Sequence, residues 1–423
     1  MKVILKNAVI VDPNSEWNSQ KADILISDGV IEKIAKSISD QSAQVVKATN
    51  LHVSPGWFDM HVNFRDPGEE YKESLDSGIA AAIAGGFTGV ALMPSTTPPI
   101  SNKAMIDYVV NRAKHTPIDV LPCGTVSSDR KGLQLSEMYD MKLAGAVAFT
   151  DDKASIQNSG LLSRALLYAK NFNGTIMSFP FDQTAQVGGM MNEGVTSTML
   201  GIEGIPNVAE ELQITRDLYL TEYNDAKIHF STISSPRGLD LIAEAKESGL
   251  AVSCDIAIHN LLLNDETITS FDSNFKVMPP LRSEEDRLEL IEGLKDGTID
   301  VICSDHSPED VEHKSLEFGA ANYGIIGLET LFGLAITNLS GVLTLDELIN
   351  KISINPRTIL QLDIPIVKEG FEANLTLFDP SLEWTYQSVN SKSKAKNTPF
   401  EGCELVGKAI GIYNKKQLEM IEV

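Results

Sequence analysis

The feature that most constrains this chain is a repeated alternation. From about Val53 onward, short unbroken apolar runs take turns with amphipathic helical stretches. "ESLDSGIAAAIAGG" is followed by "FTGVALMPS", "NKAMIDYVVNRAKH" by "IDVLPCGTV", and "GLQLSEMYDMKLAG" by "AVAFTDD". "GLLSRALLYAKNFN" then leads into "GTIMSFP", and "NVAEELQITRDLYLTEYN" into "AKIHFSTI". Finally "SPRGLDLIAEAKESG" precedes "LAVSCDI", and "SEEDRLELIEGLKDG" precedes "TIDVICSDH". Strands that are apolar throughout must be covered on both faces, and helices between them supply the cover and the crossover of a parallel sheet. Roughly eight such units over about 300 residues predict a distorted TIM-type (β/α)8 barrel. An open doubly wound sheet is the alternative, but no Gly-x-Gly-x-x-Gly turn supports it.

Both ends of the chain have a different texture. "KVILKNAVIV", "ADILISDGVIEKIA" and "AQVVKA" are short strand-like runs, with Asp28-Gly29 as a hairpin turn. Similar runs return near the C-terminus in "FEANLTLFDP", "EWTY" and "CELVGKAIGIYN". The simplest arrangement joins residues 1–52 and 363–423 into one small composite β-sandwich domain beside a barrel of residues 53–362. "SVNSKSKAKNTPF" reads as a polar surface loop.

Charge and cysteine usage narrow the function. A formal net charge of −23 repels nucleic acid and anionic membranes, so neither is expected as a partner. The cysteines, Cys123, Cys254, Cys303 and Cys403, are far apart and form no Cys-x-x-Cys pair, which suits a reducing cytoplasm. The opening "MKVILKNAVIVDPNSEW" lacks the apolar core of a signal peptide, and no apolar run is long enough for a membrane span. A cytoplasmic location is therefore expected.

In a barrel the chemistry belongs at the C-terminal ends of the strands. Those ends carry His61, Asn63 and Arg65, then Ser95, then Asp151, Asp152 and Lys153. Further along come Ser178, His229 with Thr232, and Cys303 with Asp305 and His306. His61, His229 and His306, with Asp151 and Asp305, form an inventory of N and O donors that suits a divalent cation. The plainer alternative keeps the aspartates as helix caps and the histidines as core residues.

Several blocks carry a resemblance to a known family. "PGWFDMHVNFRDPGEEYKES", "GGFTGVALMPSTTPPI", "AFTDD", "PPLRSEEDRLELIEGLKDGTIDVICSDHSP", "GIIGLET" and "NTPF" follow the order found in type I dihydroorotases of the amidohydrolase superfamily. The resemblance covers nearly the whole chain. It implies a barrel with a composite β-sandwich. It also implies two zinc ions that activate a hydroxide for attack on the ring amide of dihydroorotate, in pyrimidine synthesis. Asp305 then matches the proton shuttle, and Arg65 the residue that grips the substrate carboxylate. The matching metal ligands are His61, Asp151 (or its neighbour Asp152), His229 and Asp305.

The chain also departs from the family pattern. Asn63 stands where the second histidine of His-x-His belongs, and Ser178 replaces another histidine ligand. On the substrate side Ser95 and Met278 replace asparagines, and Glu309 replaces a histidine beside the substrate's carboxylate. A carboxylate there is expected to repel an anion. Lys153 stands where a glycine is usual, either as a solvated loop lysine or as a cation in a metal's place. Amide and hydroxyl oxygens are poor zinc ligands beside imidazole, so zinc is expected to be absent or held as one weak ion. The resulting expectation is an eroded, non-catalytic dihydroorotase-like protein that supports aspartate transcarbamoylase. The alternative is an active cyclic amidohydrolase with one metal or altered ligands. A homodimer is expected, because barrels of this superfamily usually pair.

Overall fold

The computed structural model describes residues 2–186 and 188–422. Strands β1 (Lys2–Ile10), β2 (Lys21–Ser27), β3 (Val30–Ala35), β4 (Gln44–Val46) and β5 (His52–Pro55) open the chain. β1, β2 and β3 pair antiparallel in sequence, while β4 and β5 lie parallel to β1. The middle of the chain holds β6 (Trp57–Val62), β7 (Phe87–Leu92), β8 (Asp119–Pro122), β9 (Ile176–Ser178), β10 (Met191–Asn192), β11 (Gly204–Ile205), β12 (Lys227–Phe230), β13 (Ala251–Ala257) and β14 (Val301–Cys303). The C-terminal strands β15 (Leu375–Thr385), β16 (Glu404–Asn414) and β17 (Gln417–Met420) then return to the first sheet, where β15 pairs antiparallel with β5. One 8-stranded sheet thus draws on both ends of the chain.

The middle strands form parallel ladders in the orders β6-β7-β8 and β14-β13-β12-β9. β6 and β7 are buried along their whole length, as continuous apolar runs require. The run "AVAFTDD", expected as a strand, contributes only single parallel bridges, Phe149 to Gly124 and Phe149 to Ile176. It is cut short because the chain turns at once, with Asp152 N–H donating to Thr150 Oγ1 at 2.9 Å and Asp152 at φ 50. On the other side, a single parallel bridge joins Val62 to His306.

Between the strands, helices begin where capping chemistry allows. Ser74 and Ser283 form capping boxes for helices Leu75–Ala84 and Glu284–Lys295. Ser235 caps Pro236–Glu247, with proline in the first turn where its missing N–H costs nothing. The apolar faces of these helices close over the strands in one large core. Trp57, Phe332 and Phe378 tie that core to the 8-stranded sheet, with ring centroids 4.4, 5.5 and 5.3 Å apart. The segment expected as a surface loop is one in part: Val389, Asn390, Lys392, Lys394 and Lys396 are exposed, but other residues of it pack inward. Ser393 donates to the Glu73 carboxylate and Asn397 Nδ2 to the Ser307 carbonyl at 3.0 Å, while Phe400 joins the large apolar core; all three are buried.

Candidate active site

The site is organised by strand-end turns. Asp59 within β6 accepts hydrogen bonds from the backbone N–H of His61 and of Ser304, both at 2.9 Å, and so ties the end of β6 to the end of β14. Burial pushes the Asp59 carboxyl up to about 6. Arg65, Asp152, Thr232 and Asp305 all adopt left-handed backbone, with φ of 58, 50, 52 and 46. Such strain in ordinary residues persists where the surroundings over-determine it, and it collects at functional sites.

These turns bring three ionisable groups around one imidazole. His61 Nε2 lies 2.9 Å from Asp152 Oδ1 and 3.4 Å from Asp305 Oδ1, with all three residues buried. Burial alone lowers the basicity of His61, but the hydrogen bond it donates to Asp152 and the charge of Asp305 carry its pKa above the usual histidine value. Asp152 is likewise held well below the usual carboxylate range: burial opposes this, and the His61 hydrogen bond outweighs it. Lys153 completes the group. Its ammonium is 3.2 Å from Asp305 Oδ1 and 3.0 Å from Thr232 Oγ1, and it stacks 4.8 Å over the Phe179 ring. Lys153 is therefore an internal cation of the site and not a solvated loop lysine. Asn63 Oδ1 accepts from Ser95 Oγ at 2.6 Å, and that hydroxyl also lies against Asp152 Oδ2.

Other candidates point elsewhere. The Asp151 carboxylate accepts from the backbone N–H of Val126 and Ser127 at 2.9 and 3.0 Å, and from the Ser127 hydroxyl. Asp152, and not Asp151, faces His61. Ser178 Oγ donates to Asp217 Oδ2 at 2.7 Å, which Arg216 holds in turn. Both ring nitrogens of His229 are taken, with Nδ1 2.8 Å from Ser253 Oγ and Nε2 2.8 Å from Asp255 Oδ2. His306 does not join the cluster either: its Nε2 faces Glu73 Oε2 at 3.5 Å. The three strand-end histidines thus serve three separate carboxylates.

On the substrate side, the expected repulsion from Glu309 does not arise. Arg65 Nη2 donates to Glu309 Oε1 at 3.0 Å and to Ser307 Oγ at 2.8 Å, and Lys72 Nζ lies 3.1 Å from Glu309 Oε2. Glu309 is neutralised, and it occupies the arginine that the resemblance gave to the substrate. A cavity of about 450 Å³ opens above these groups; Arg65, Arg130, Lys153 and Met278 are among its walls.

Sequence reasoning missed Lys72, Arg130, Asp217 and Asp255. Asp255 alone left a readable signal, as a charge inside the apolar run "AVSCDIA". Asp217 lies on a helix, Arg130 ends the short 3-10 turn Ser128–Arg130, and Lys72 lies in a loop; spacing does not give the direction of either cation.

The donor set does not fit a two-metal centre. The side built on Ser178 and His229 has its polar atoms committed to Asp217, Ser253 and Asp255. On the other side Lys153 already brings a positive charge to Asp305. Among the described residues, one trio of His and acidic side chains has its donor atoms all within 4.8 Å of one another, Glu309 with Asp310 and His313. There Glu309 is already paired with Arg65 and Lys72.

A dihydro-orotase-like family model matches residues 51–237, and an amidohydrolase family model matches residues 184–404. A dihydroorotase of Ruminiclostridium cellulolyticum is 42% identical over 410 residues, covering 96% of each chain. A dihydroorotase of Geobacter metallireducens is 41% identical over 412 residues, covering 97% of each. Among solved structures, an L-hydantoinase (dihydropyrimidinase) from Arthrobacter aurescens superposes with TM-score 0.86 at 24% identity, over 100% of this chain and 97% of that one. A D-hydantoinase gives TM-score 0.85 at 21% identity, over 100% and 95%. The structural likeness is one of mixed α/β fold; the sequence likeness goes further, and the chain belongs to the dihydroorotase family of amidohydrolases.

Proposed function

We propose that this chain is a dihydroorotase-family protein of pyrimidine biosynthesis that keeps the family's pocket but not its two-metal hydrolysis. The observation that carries this reading is the Lys153 ammonium 3.2 Å from Asp305, beside the paired His61 and Asp152. A fixed cation of the protein neutralises the carboxylates that would otherwise gather metal. In this reading Asp305 is held by its lysine and the mouth binds small carboxylate-bearing rings without opening them. The protein's role is then to support aspartate transcarbamoylase, alone or as a homodimer.

The same proposal includes the architecture. The single bridges at Phe149 and between Val62 and His306 link the edges of the two parallel ladders, which supports a closed, distorted (β/α)8 barrel over residues 53–362. Residues 1–52 and 363–423 then form the second domain.

The relatives favour a second reading. Relatives near 40% identity bear the name dihydroorotase, and nothing in those comparisons signals lost catalysis. His61, Asp152 and Asp305 would then hold a single ion, with Asp305 moving the proton. One experiment separates the two: turnover of dihydroorotate and of carbamoyl aspartate by the pure protein, with and without added zinc. The first reading expects no turnover in either condition and co-elution with aspartate transcarbamoylase. Turnover at rates usual for enzymes, about 1 per second or more, ends it.

A further inference from the structure

The pocket holds a second arginine besides Arg65. Arg65 is spent on Glu309, Ser307 and the carbonyl of Pro308. Across the mouth, Arg130 Nε donates to the Asp151 carbonyl at 2.9 Å. Among the described residues no side-chain acceptor takes its Nη groups, and its side chain borders the same cavity as Lys153.

Arg130 is also held firmly. Asp129 and Arg130 both turn through left-handed backbone, at φ 55 and 57. The Asp151 carboxylate fixes the loop below them by capping Val126 and Ser127, and Ser127 Oγ in turn accepts from Gly132 N–H at 2.8 Å. The aspartate turned away from the histidine cluster thus builds the platform from which Arg130 reaches the mouth. A guanidinium with free Nη donors offers a carboxylate a planar, bidentate partner.

We infer that Arg130 is the carboxylate-recognition residue of this pocket, replacing Arg65, and that the ligand is a small ring amide or ureido acid bearing a carboxylate. The class of ligand rests on the proposed function; the location of the anion site rests on the side chains.

The test is calorimetric binding to the full-length protein. The probes are dihydroorotate and dihydrouracil, the same ring without the carboxylate. Arg130→Gln is expected to weaken dihydroorotate binding by about tenfold or more while leaving dihydrouracil within about twofold, because only the charged contact is lost. Arg130→Lys should recover part of the affinity, and Lys131→Gln, the same charge change one residue on, should match wild type. Equal loss for both probes, or a larger loss in Arg65→Gln than in Arg130→Gln, overturns the inference. So does a wild type that fails to bind dihydroorotate at about 10 mM, an outcome that also removes ring binding from the proposed function but leaves its loss of hydrolysis standing. If wild type hydrolyses dihydroorotate, the non-hydrolytic reading falls, and the Arg130 variants are compared by KM with the same thresholds.

Discussion

At the residue scale, the site depends on which charge neutralises Asp152 and Asp305. Lys153 faces Asp305 from 3.2 Å and His61 faces Asp152 at 2.9 Å, and the fixed ammonium of Lys153 opposes any dication placed among these oxygens. Lys153→Met should therefore tighten zinc binding by about tenfold or more, as read by competition against a chelating dye. An unchanged affinity would show that something else keeps the ion out. Asp151→Asn tests the loop platform. It keeps the size of the side chain but weakens charge-assisted bonds to two backbone N–H groups and a hydroxyl, so a loss of about 1–3 kcal/mol in denaturant unfolding is expected. The sequence made Asp151 and Asp152 both visible as candidates. It did not show which one faces His61, because that is decided by a left-handed turn at Asp152 that no spacing rule encodes. His229 and Ser178 were visible as strand-end residues for the same reason, and their partners Asp255 and Asp217 were not, since both pairings cross between elements.

At the element scale, the βα rhythm was legible because burial on both faces forces apolar strands, whereas the segments over the mouth were not. The segment around residues 311–324 is fastened by two buried lysines without carboxylate partners. Lys276 Nζ donates to the carbonyls of Phe318, Gly319 and Ala321 at 2.7, 3.0 and 2.7 Å. Lys314 Nζ donates to those of Ser273, Asn322 and Gly324 at 2.6, 3.1 and 3.0 Å. The segment is polar in sequence, yet these carbonyls are satisfied from within. Burial lowers Lys314 from 10.5 to about 8. The sign follows from linkage: between these two values the unfolded chain binds the proton and the folded one does not, so stability attributable to Lys314 rises with pH across that window. Below about 8 the folded state carries the full desolvation cost. Wild type should thus gain stability relative to Lys314→Met as pH is raised from neutral toward 10.5, measured as the difference between their unfolding free energies. A constant difference would show that the folded and unfolded lysines titrate alike.

At the scale of the whole molecule, the question is whether the 8-stranded sheet and the helix-covered ladders fold as one unit. The sheet has a core of its own, in which Val3, Leu5, Ile24, Val53 and Leu377 meet, with Trp17 packed against it. Yet Phe378, Leu405, Ala409 and Ile412 from the C-terminal strands belong to the large core with Trp57 and Phe332. Hydrogen bonds from the backbone cross the same boundary, since Trp57 N–H donates to the Thr376 side-chain Oγ1 at 3.0 Å and Gly56 N–H to the Asn374 carbonyl at 2.9 Å. An apolar seam that is continuous with both cores couples their unfolding, because neither side can open without exposing the aromatic wedge. Phe378→Ala removes the ring on the sheet side of that wedge and should cost about 3–5 kcal/mol. If the coupling holds, that loss lowers the midpoint of the whole protein, and tryptophan fluorescence, which includes Trp17 in the sheet core and Trp57 in the wedge, stays coincident with far-UV circular dichroism. Transitions that separate in the variant but coincide in wild type would place the seam as the coupling element. Transitions already separate in wild type would mean that the end strands fold on their own, with the wedge contributing packing but no cooperativity.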